Sequence, residues 1–401
     1  MKEKKQLLIM SHAMELGGAE RSLIGLLDEF NTDEYDVDLF LLRHEGELLE
    51  SIPDKINLLP QLKTYTVLAR PMKATLFEGH VMLTLARAIG KVAAKIYDIK
   101  HGYTDSGVAL EYSHKYTAPL LPKINPDKEY DLAISFLTPH YYIAEKVKAK
   151  KKIAWIHTDY SKVQINKSSE MKMWNQYDYI ISISDAVTAG FLGVFPDLKE
   201  KILMIENILP KKLIDVQKEA FSVENEMVCK GIKLLSIGRY CTAKNFDNVP
   251  EICSKISSMG NDVYWYIIGY GPDEKLIKEK IRQFNMEDRV ILLGKKENPY
   301  PYINACDLYI QPSRYEGKSV TVREAQMLGK PVIITEYATS KSQLKNGIDG
   351  IIVPLDNDLC ARGIGALLRQ PEKINLLTEN CKKNDYSNAK EITKLYKIIN
   401  Q

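Results

Sequence analysis

Short β-type runs alternate with helical patterns along nearly the whole chain, and at Ile232 the series starts again. Such alternation is the signature of parallel sheets, whose neighbouring strands need a helical crossover to return the chain to the same edge. The first series reads Gln6–Met10, Val37–Leu42, Ile56–Leu59, Leu132–Phe136, Ile153–Ile156 and Tyr179–Ile183. The second reads Ile232–Ile237, Val263–Ile268, Val290–Leu293, Leu308–Ile310, Val332–Thr335 and Ile351–Val353, the first three each closed by a glycine. Two doubly wound halves follow from the restart. They meet in the aperiodic stretch 207–228, which gives domains over 1–207 and 208–385. A last helix, about Ser387–Ile399 in the segment 386–401, has an apolar face that suits packing on either half, the first domain included.

Size agrees with that division, since 401 residues exceed one ordinary core. Apolar residues make up 45% and charged residues 27%, as in soluble globular proteins, and a net charge of +3 offers no global field for nucleic acid. Six cysteines, all in the second half, form no C-x-x-C pair, so they read as reduced thiols and not as a disulfide framework or zinc site. The apolar run after the basic start is too short for a signal-peptide core, and no stretch of about 18 apolar residues occurs. These features lead us to expect a cytoplasmic protein, soluble or peripheral on the inner face of the membrane.

Residues 63–100 interrupt the alternation and carry an excess of lysine and arginine. Leu83, Ala86, Ile89, Gly90, Ala93 and Ile96 fall on one helical face, with Arg87, Lys91 and Lys95 on another. The first reading is a core helix with a solvated basic face. The alternative is a basic amphipathic helix lying on an anionic membrane.

Several loops at strand ends carry candidate chemistry. Gly17 and Gly18 separate the first strand from its helix, where backbone N–H groups and the helix dipole suit an anion; a bare turn needing positive φ would explain them equally. In "SIGRYCTAKNFDN" Arg239 follows the strand ending at Gly238, and Lys244 comes just before a helix expected near Asn245. Two cations five residues apart at a strand's carboxyl end suit a diphosphate. "IIGYGPDEKL" places Gly269 and Gly271 in a tight turn on the same edge.

The segment "SRYEGKSVTVREAQMLGKPVIIT" holds Glu316 before a helix and Glu324 inside it. Helix punctuation accounts for Ser319 as N-cap, Gly329 as C-terminal glycine and Pro331. It does not account for the two carboxylates, which can accept from two hydroxyls of one extended ligand while N–H groups at 318–320 hold its phosphates.

"EGKSVTVRE" resembles the E-x7-E motif of the retaining glycosyltransferases called group 1 or family 4. Gly17-Gly18-Ala19-Glu20, Gly238-Arg239 with Lys244, and the turn at Gly269–Pro272 are similar to that family's other blocks, in the same order. The resemblance implies the GT-B fold, two Rossmann-like α/β domains facing each other across a cleft. It implies that Arg239 and Lys244 meet a donor diphosphate, that Glu316 binds the donor sugar and Glu324 the ribose, and that Gly17 and Gly18 approach the ligands. Gly317, Lys318, Ser319, Val320, Gly269 and Gly271 would complete the donor site, and His157, ending the strand "IAWIH", would lie near the transferred sugar. The sequence departs from the usual apolar-small pair with Lys318-Ser319.

The expected activity is retaining transfer of a sugar from a UDP- or GDP-linked donor to a saccharide or lipid-linked saccharide, as in capsule or other surface-polysaccharide synthesis. No metal or other cofactor is expected, because Asp36 and Asp38 in "DVD" read as strand patterning and cations with helix N-termini can supply the positive charge. A non-catalytic scaffold of the same fold that partners another transferase, and a nucleotide-sugar epimerase, are the alternatives.

Overall fold

The structure is a computed structural model that describes residues 3–15, 17–104 and 106–401; Met1 and Lys2 of the basic start lie outside the described residues. The chain forms two compact units, residues 1–208 with 389–401 and residues 209–388.

In the first unit the order is β1 (Lys5–Ser11), α1 (Gly18–Glu29), β2 (Tyr35–Leu41), β3 (Asn57–Leu58), α2 (Met72–Phe77), α3 (Val81–His101) and α4 (Val108–Thr117). Then follow β4 (Tyr130–Ser135), α5 (His140–Lys146), β5 (Ala149–Ile156), α6 (Lys167–Trp174), β6 (Tyr179–Ser182), α7 (Asp185–Val194) and β7 (Ile202–Met204). The seven strands pair in parallel in the order β3-β2-β1-β4-β5-β6-β7. The central strands are runs such as Leu7–Met10 and Leu132–Ile134 without exposed side chains, as expected where helices cover both faces. "DVD" lies in β2 as strand patterning. Asp36 is solvent-facing and accepts from Gln6 Nε2 at 2.9 Å, whereas Asp38 is buried and bonded to Lys128, Tyr130 and Asn57.

The second unit opens with α8 (Lys211–Gln217), a helix inside the stretch that shows no period in the sequence, followed by β8 (Ile232–Ile237), α9 (Val249–Ser258) and β9 (Val263–Ile268). It continues through α10 (Glu274–Gln283), β10 (Val290–Gly294), α11 (Tyr300–Ala305), β11 (Leu308–Gln311), α12 (Val320–Met327) and β12 (Val332–Thr335). Last come α13 (Ser340–Gln343), β13 (Ile351–Val353), α14 (Asn357–Leu368) and α15 (Pro371–Lys383). Its sheet, β10-β9-β8-β11-β12-β13, is again wholly parallel and winds outward from the middle. One face of the sheet packs a core around Trp265, Val249 and Ile364, and the other a core around Tyr266, Tyr309 and Val322.

The end of the chain returns to the first unit. After a 3-10 turn at Ala389–Glu391, α16 (Ile392–Asn400) buries Leu395 fully. Tyr396 stacks on Tyr35 with ring centroids 4.6 Å apart, donates to Glu29 O at 3.0 Å and accepts from Asn31 N–H at 2.9 Å. Lys151 Nζ donates to Ile398 O at 2.9 Å.

The basic region differs from the expectation in two respects. Helix α3 turns Leu83, Ala86, Gly90 and Ala94 inward, and Ile89 and Ile96 outward. The small residues decide this, because Gly90 lies so close to α4 that a Cβ there would stand 2.9 Å from Tyr112 O. Arg87 is not on the solvated face either. Its guanidinium is half-buried and donates to the carbonyls of Val67, Leu68 and Arg70.

Leu395→Ala is expected to lower the stability of the first unit by about 2–5 kcal/mol through loss of buried volume. Urea unfolding followed by tryptophan fluorescence measures it. An unshifted first transition would mean that α16 contributes no packing.

Candidate functional site

A doubly wound sheet leaves a crevice at its switch point, where the connections after two neighbouring strands run to opposite sides. In the second unit that point lies between β8 and β11, and the loops that follow these strands carry the predicted charges. Gly238-Arg239 and Lys244 lie in the loop after β8, and Glu316 in the loop after β11. The two loops meet through Lys244 Nζ, which pairs with Glu316 Oε1 at 2.5 Å. The same oxygen accepts from Ser313 Oγ at 2.7 Å and from Gln311 Nε2 at 3.2 Å.

Glycines make this approach possible. A Cβ on Gly238 would press on the Lys244 stem at 3.2 Å, so the bare backbone is what lets the lysine lie across it. Gly269, at φ +152°, passes so close that a Cβ would stand 1.9 Å from Gly238 O, and Gly271, at φ +157°, abuts Tyr240 O. Gly238 N–H donates to Ile268 O at 3.0 Å and Tyr240 N–H to Tyr270 O at 2.8 Å, which ties the 269–272 turn to the arginine loop. Arg239 projects into solvent, and no hydrogen bond or ion pair holds it among the described residues. The helix expected near Asn245 starts as a 3-10 turn at Phe246, with Asn245 itself left-handed at φ +61°.

The second carboxylate and the helix start depart from the sequence reading. Glu324 is wholly buried and accepts from Tyr300 OH at 2.9 Å. Ser319 holds the N-cap position, but its hydroxyl pairs with Thr321 Oγ1 at 3.0 Å and makes no capping bond. Its N–H, expected to serve a phosphate, donates to Gln343 Oε1 at 2.7 Å, and Gln343 Nε2 returns a bond to Ser319 O at 3.2 Å. Gln343 thus fixes the loop carrying Gly317 and Lys318 into Val320, the first residue of α12. Gly329 closes α12 at φ +69°.

Sequence reasoning passed over Gln311, Ser313, Gln343, Tyr300 and the exposed rings of Tyr270 and Tyr315. Only Ser313, three residues before Glu316, had a spacing that could have signalled it. Gln311, Gln343 and Tyr300 act through partners brought close by the fold.

In the first unit, Gly17 has φ −144° and ψ 160°, an extended conformation open to any residue. Its role is spatial, since a Cβ would meet Glu20 Oε2 at 2.0 Å. Glu20 folds back over the start of α1, and burial raises its pKa. His157 follows β5 and lies against Phe136, ring centroids 4.8 Å apart. Burial pushes its pKa down to about 4 against an opposing bond from the Phe136 backbone, so the imidazole is neutral at physiological pH, and its Nε2 has no partner among the described residues.

A cavity of about 150 Å³ opens past β4 and β5, lined among others by Glu111, His114, His140, Tyr141, Tyr160 and Glu170. Glu111 Oε1 accepts from Tyr141 OH and Ser169 Oγ, while Oε2 has no partner among the described residues. Glu170 Oε2 accepts from Tyr160 OH at 3.1 Å and Trp174 Nε1 at 3.2 Å. Burial first, then the Glu111 carboxylate, push Glu170 up to about 7, and burial, aided by neighbouring histidines, holds His114 and His140 near 3 as neutral rings.

The architecture and the paired loops define the class: two doubly wound α/β units of the GT-B fold, the second with a cation–carboxylate pair at its switch point. Residues 217–384, nearly all of the second unit, match the family model of the group 1 glycosyl transferases, so that unit is similar to the domain of that family. The chain is 25% identical over 207 residues to the N-acetylgalactosamine-N,N'-diacetylbacillosaminyl-diphospho-undecaprenol 4-alpha-N-acetylgalactosaminyltransferase of Campylobacter jejuni, covering 47% of this chain and 54% of that one. It is 28% identical to the UDP-Gal:alpha-D-GlcNAc-diphosphoundecaprenol alpha-1,3-galactosyltransferase of Escherichia coli, over 40% of this chain and 43% of that one. The matches thus span about half the length of these curated relatives, or less. The fold is shared along nearly the full length with HepE of Anabaena, solved with UDP-glucose (16% identity, 98% and 99% of the two chains, TM-score 0.63). A glycosyltransferase of Rickettsia africae is similar to the same extent (15% identity, 99% of both chains, TM-score 0.65).

A carboxyl whose folded pKa is raised stabilises the fold below its unfolded pKa and loses that contribution as the pH climbs through the folded value. For Glu170 the window runs from the ordinary carboxyl range up to about 7. Glu170→Gln, which never ionises, is therefore expected to raise the melting temperature at about pH 8 and to give a smaller gain at about pH 5. Calorimetry at the two pH values measures the difference, and an equal shift at both would refute the buried-acid assignment.

Proposed function

We propose that the chain transfers a sugar, with retention of anomeric configuration, from a UDP- or GDP-linked donor to a hydroxyl of a lipid-linked saccharide at the cytoplasmic face of a membrane. The observation that carries this reading is the Lys244–Glu316 pair at the β8/β11 switch point of a unit similar to the group 1 domain, with Arg239 exposed beside it. HepE, of the same fold, has been solved with UDP-glucose, and the relatives from Campylobacter and Escherichia are named for diphospho-undecaprenol saccharides.

In this mechanism Lys244 moves between Glu316 and the donor diphosphate, and Arg239 grips a second oxygen as negative charge builds on the leaving group. Glu316, relieved of the lysine, accepts from a sugar hydroxyl while Ser313 and Gln311 keep it oriented. The bond from the anomeric carbon to the diphosphate breaks, the acceptor oxygen bonds the same face, and the acceptor proton passes to a diphosphate oxygen. No metal or other cofactor takes part in this scheme. Glu324 acts from beneath the site through Tyr300 or, after a side-chain shift, on the ribose. In the first unit, the carboxyls of Glu111 and Glu170 suit acceptor hydroxyls, and neutral His157 offers an uncharged ring nitrogen.

A panel of nucleotide sugars with an undecaprenyl-diphosphate saccharide, read by released nucleotide and by NMR of the new linkage, tests the proposal. Lys244→Ala and Glu316→Ala are each expected to lower kcat/KM by roughly 10²–10³ with the melting temperature retained. Full turnover in either variant would overturn the assignment. Absence of turnover and of donor binding across the panel would favour a scaffold.

A further inference from the structure

The surface of α3 carries a feature that the transfer reaction does not use. Met82, Leu85, Ile89, Val92, Ile96 and Ile99 recur at intervals of three, four, three, four and three, and each is between 48% and 72% exposed. That spacing makes one straight stripe about 26 Å long at 1.5 Å per residue. Large apolar side chains rarely stand together in solvent, and a continuous patch marks a docking surface. The inward face of the same helix is already satisfied, since Leu83, Ala86, Gly90 and Ala94 are buried. Just before α3, Phe77 at the end of α2 is 88% exposed, so the apolar surface extends beyond the stripe.

Charge indicates what covers it. Lys91, Lys95 and Lys100 are exposed on α3, and Lys95 and Lys100 flank the stripe on its two sides. The only acid in the helix, Asp98, accepts from Ser106 Oγ at 2.7 Å, and Glu78 is paired with Arg70. A second copy of the helix would fit the spacing but not the charges. A parallel pair sets Lys95 against the copy's Lys100, and an antiparallel pair sets like lysines together. A complement that is apolar in its depth and negative at its rim is the interface of an anionic bilayer.

We propose that α3, helped by Phe77, lies in the interface of an anionic phospholipid bilayer, its stripe among the acyl chains and Lys91, Lys95 and Lys100 at the headgroups. The surface alone carries this inference, so vesicle binding and sugar transfer can fail separately. The test is co-sedimentation of the full chain with phosphatidylcholine vesicles, with and without phosphatidylglycerol, at low and high salt. The chain is expected to partition onto the anionic vesicles and to lose binding with salt. Leu85→Asp with Ile89→Asp changes only exposed side chains and is expected to lower the partition coefficient at least roughly tenfold, with the circular dichroism spectrum unchanged. Lys91→Glu with Lys95→Glu is expected to lower it about tenfold on anionic vesicles only. Equal sedimentation of the apolar variant, or no binding to either vesicle at low salt, would overturn the proposal. So would a dimer, seen by light scattering, that the apolar variant abolishes while vesicles bind nothing.

Discussion

The parting of the chain at the middle of the second sheet is the constraint on which the candidate site depends. Parallel strands all deliver their carboxyl ends to one edge, and β8 and β11 are the neighbours whose following segments diverge. No helix can cover the gap, so two loops are left side by side with their polar groups available. Lys244 and Glu316 are 72 residues apart in sequence and reach 2.5 Å because each sits on one of those loops. The glycines follow from this placement. Gly238, Gly269 and Gly271 thin the backbone where three segments converge, and Gln343 braces the carboxylate's loop from the far side.

The first unit uses the same architecture differently. Its crevice-side residues past β4 and β5 are buried and mostly neutral. His114, His140 and His157 are desolvated imidazoles, and Glu170 keeps its proton to about neutrality because burial and Glu111 oppose its charge. Groups of this kind offer hydrogen bonds without charge, while the second unit carries the cations Arg239 and Lys244 after β8. The stretch that matches the group 1 model, residues 217–384, lies within that second unit.

Much of this could be read from the residues. β8, β9, β12 and β13 carry the same bounds in the sequence and the structure, because apolar β-branched runs end there at glycine or polar punctuation. Lys244 and Glu316 were legible from their places at strand ends. β7 was not, since three residues at a sheet edge establish no period, and α8 was hidden among prolines and charges. Helix α3 misled because it has two apolar faces. Periodicity grouped Ile89 and Ile96 with Gly90 on one face, whereas close packing on α4 keeps Gly90, adds Ala94 and turns the two isoleucines outward. The Ser319 hydroxyl looked like a cap because nothing in sequence announces that Thr321 would take it, or that Gln343, 24 residues on, would take the N–H.

The return of α16 to the first unit has a consequence for how the protein is made. Residues 389–401 complete the surface around Phe30 and Tyr35, yet all of 209–388 is synthesised before them. The second unit, one unbroken segment, can reach its final packing on the ribosome as it emerges. The first, although it leads the chain, stays unsealed along Tyr35 until its last helix arrives. During synthesis, the unit that comes out first is the one that finishes last.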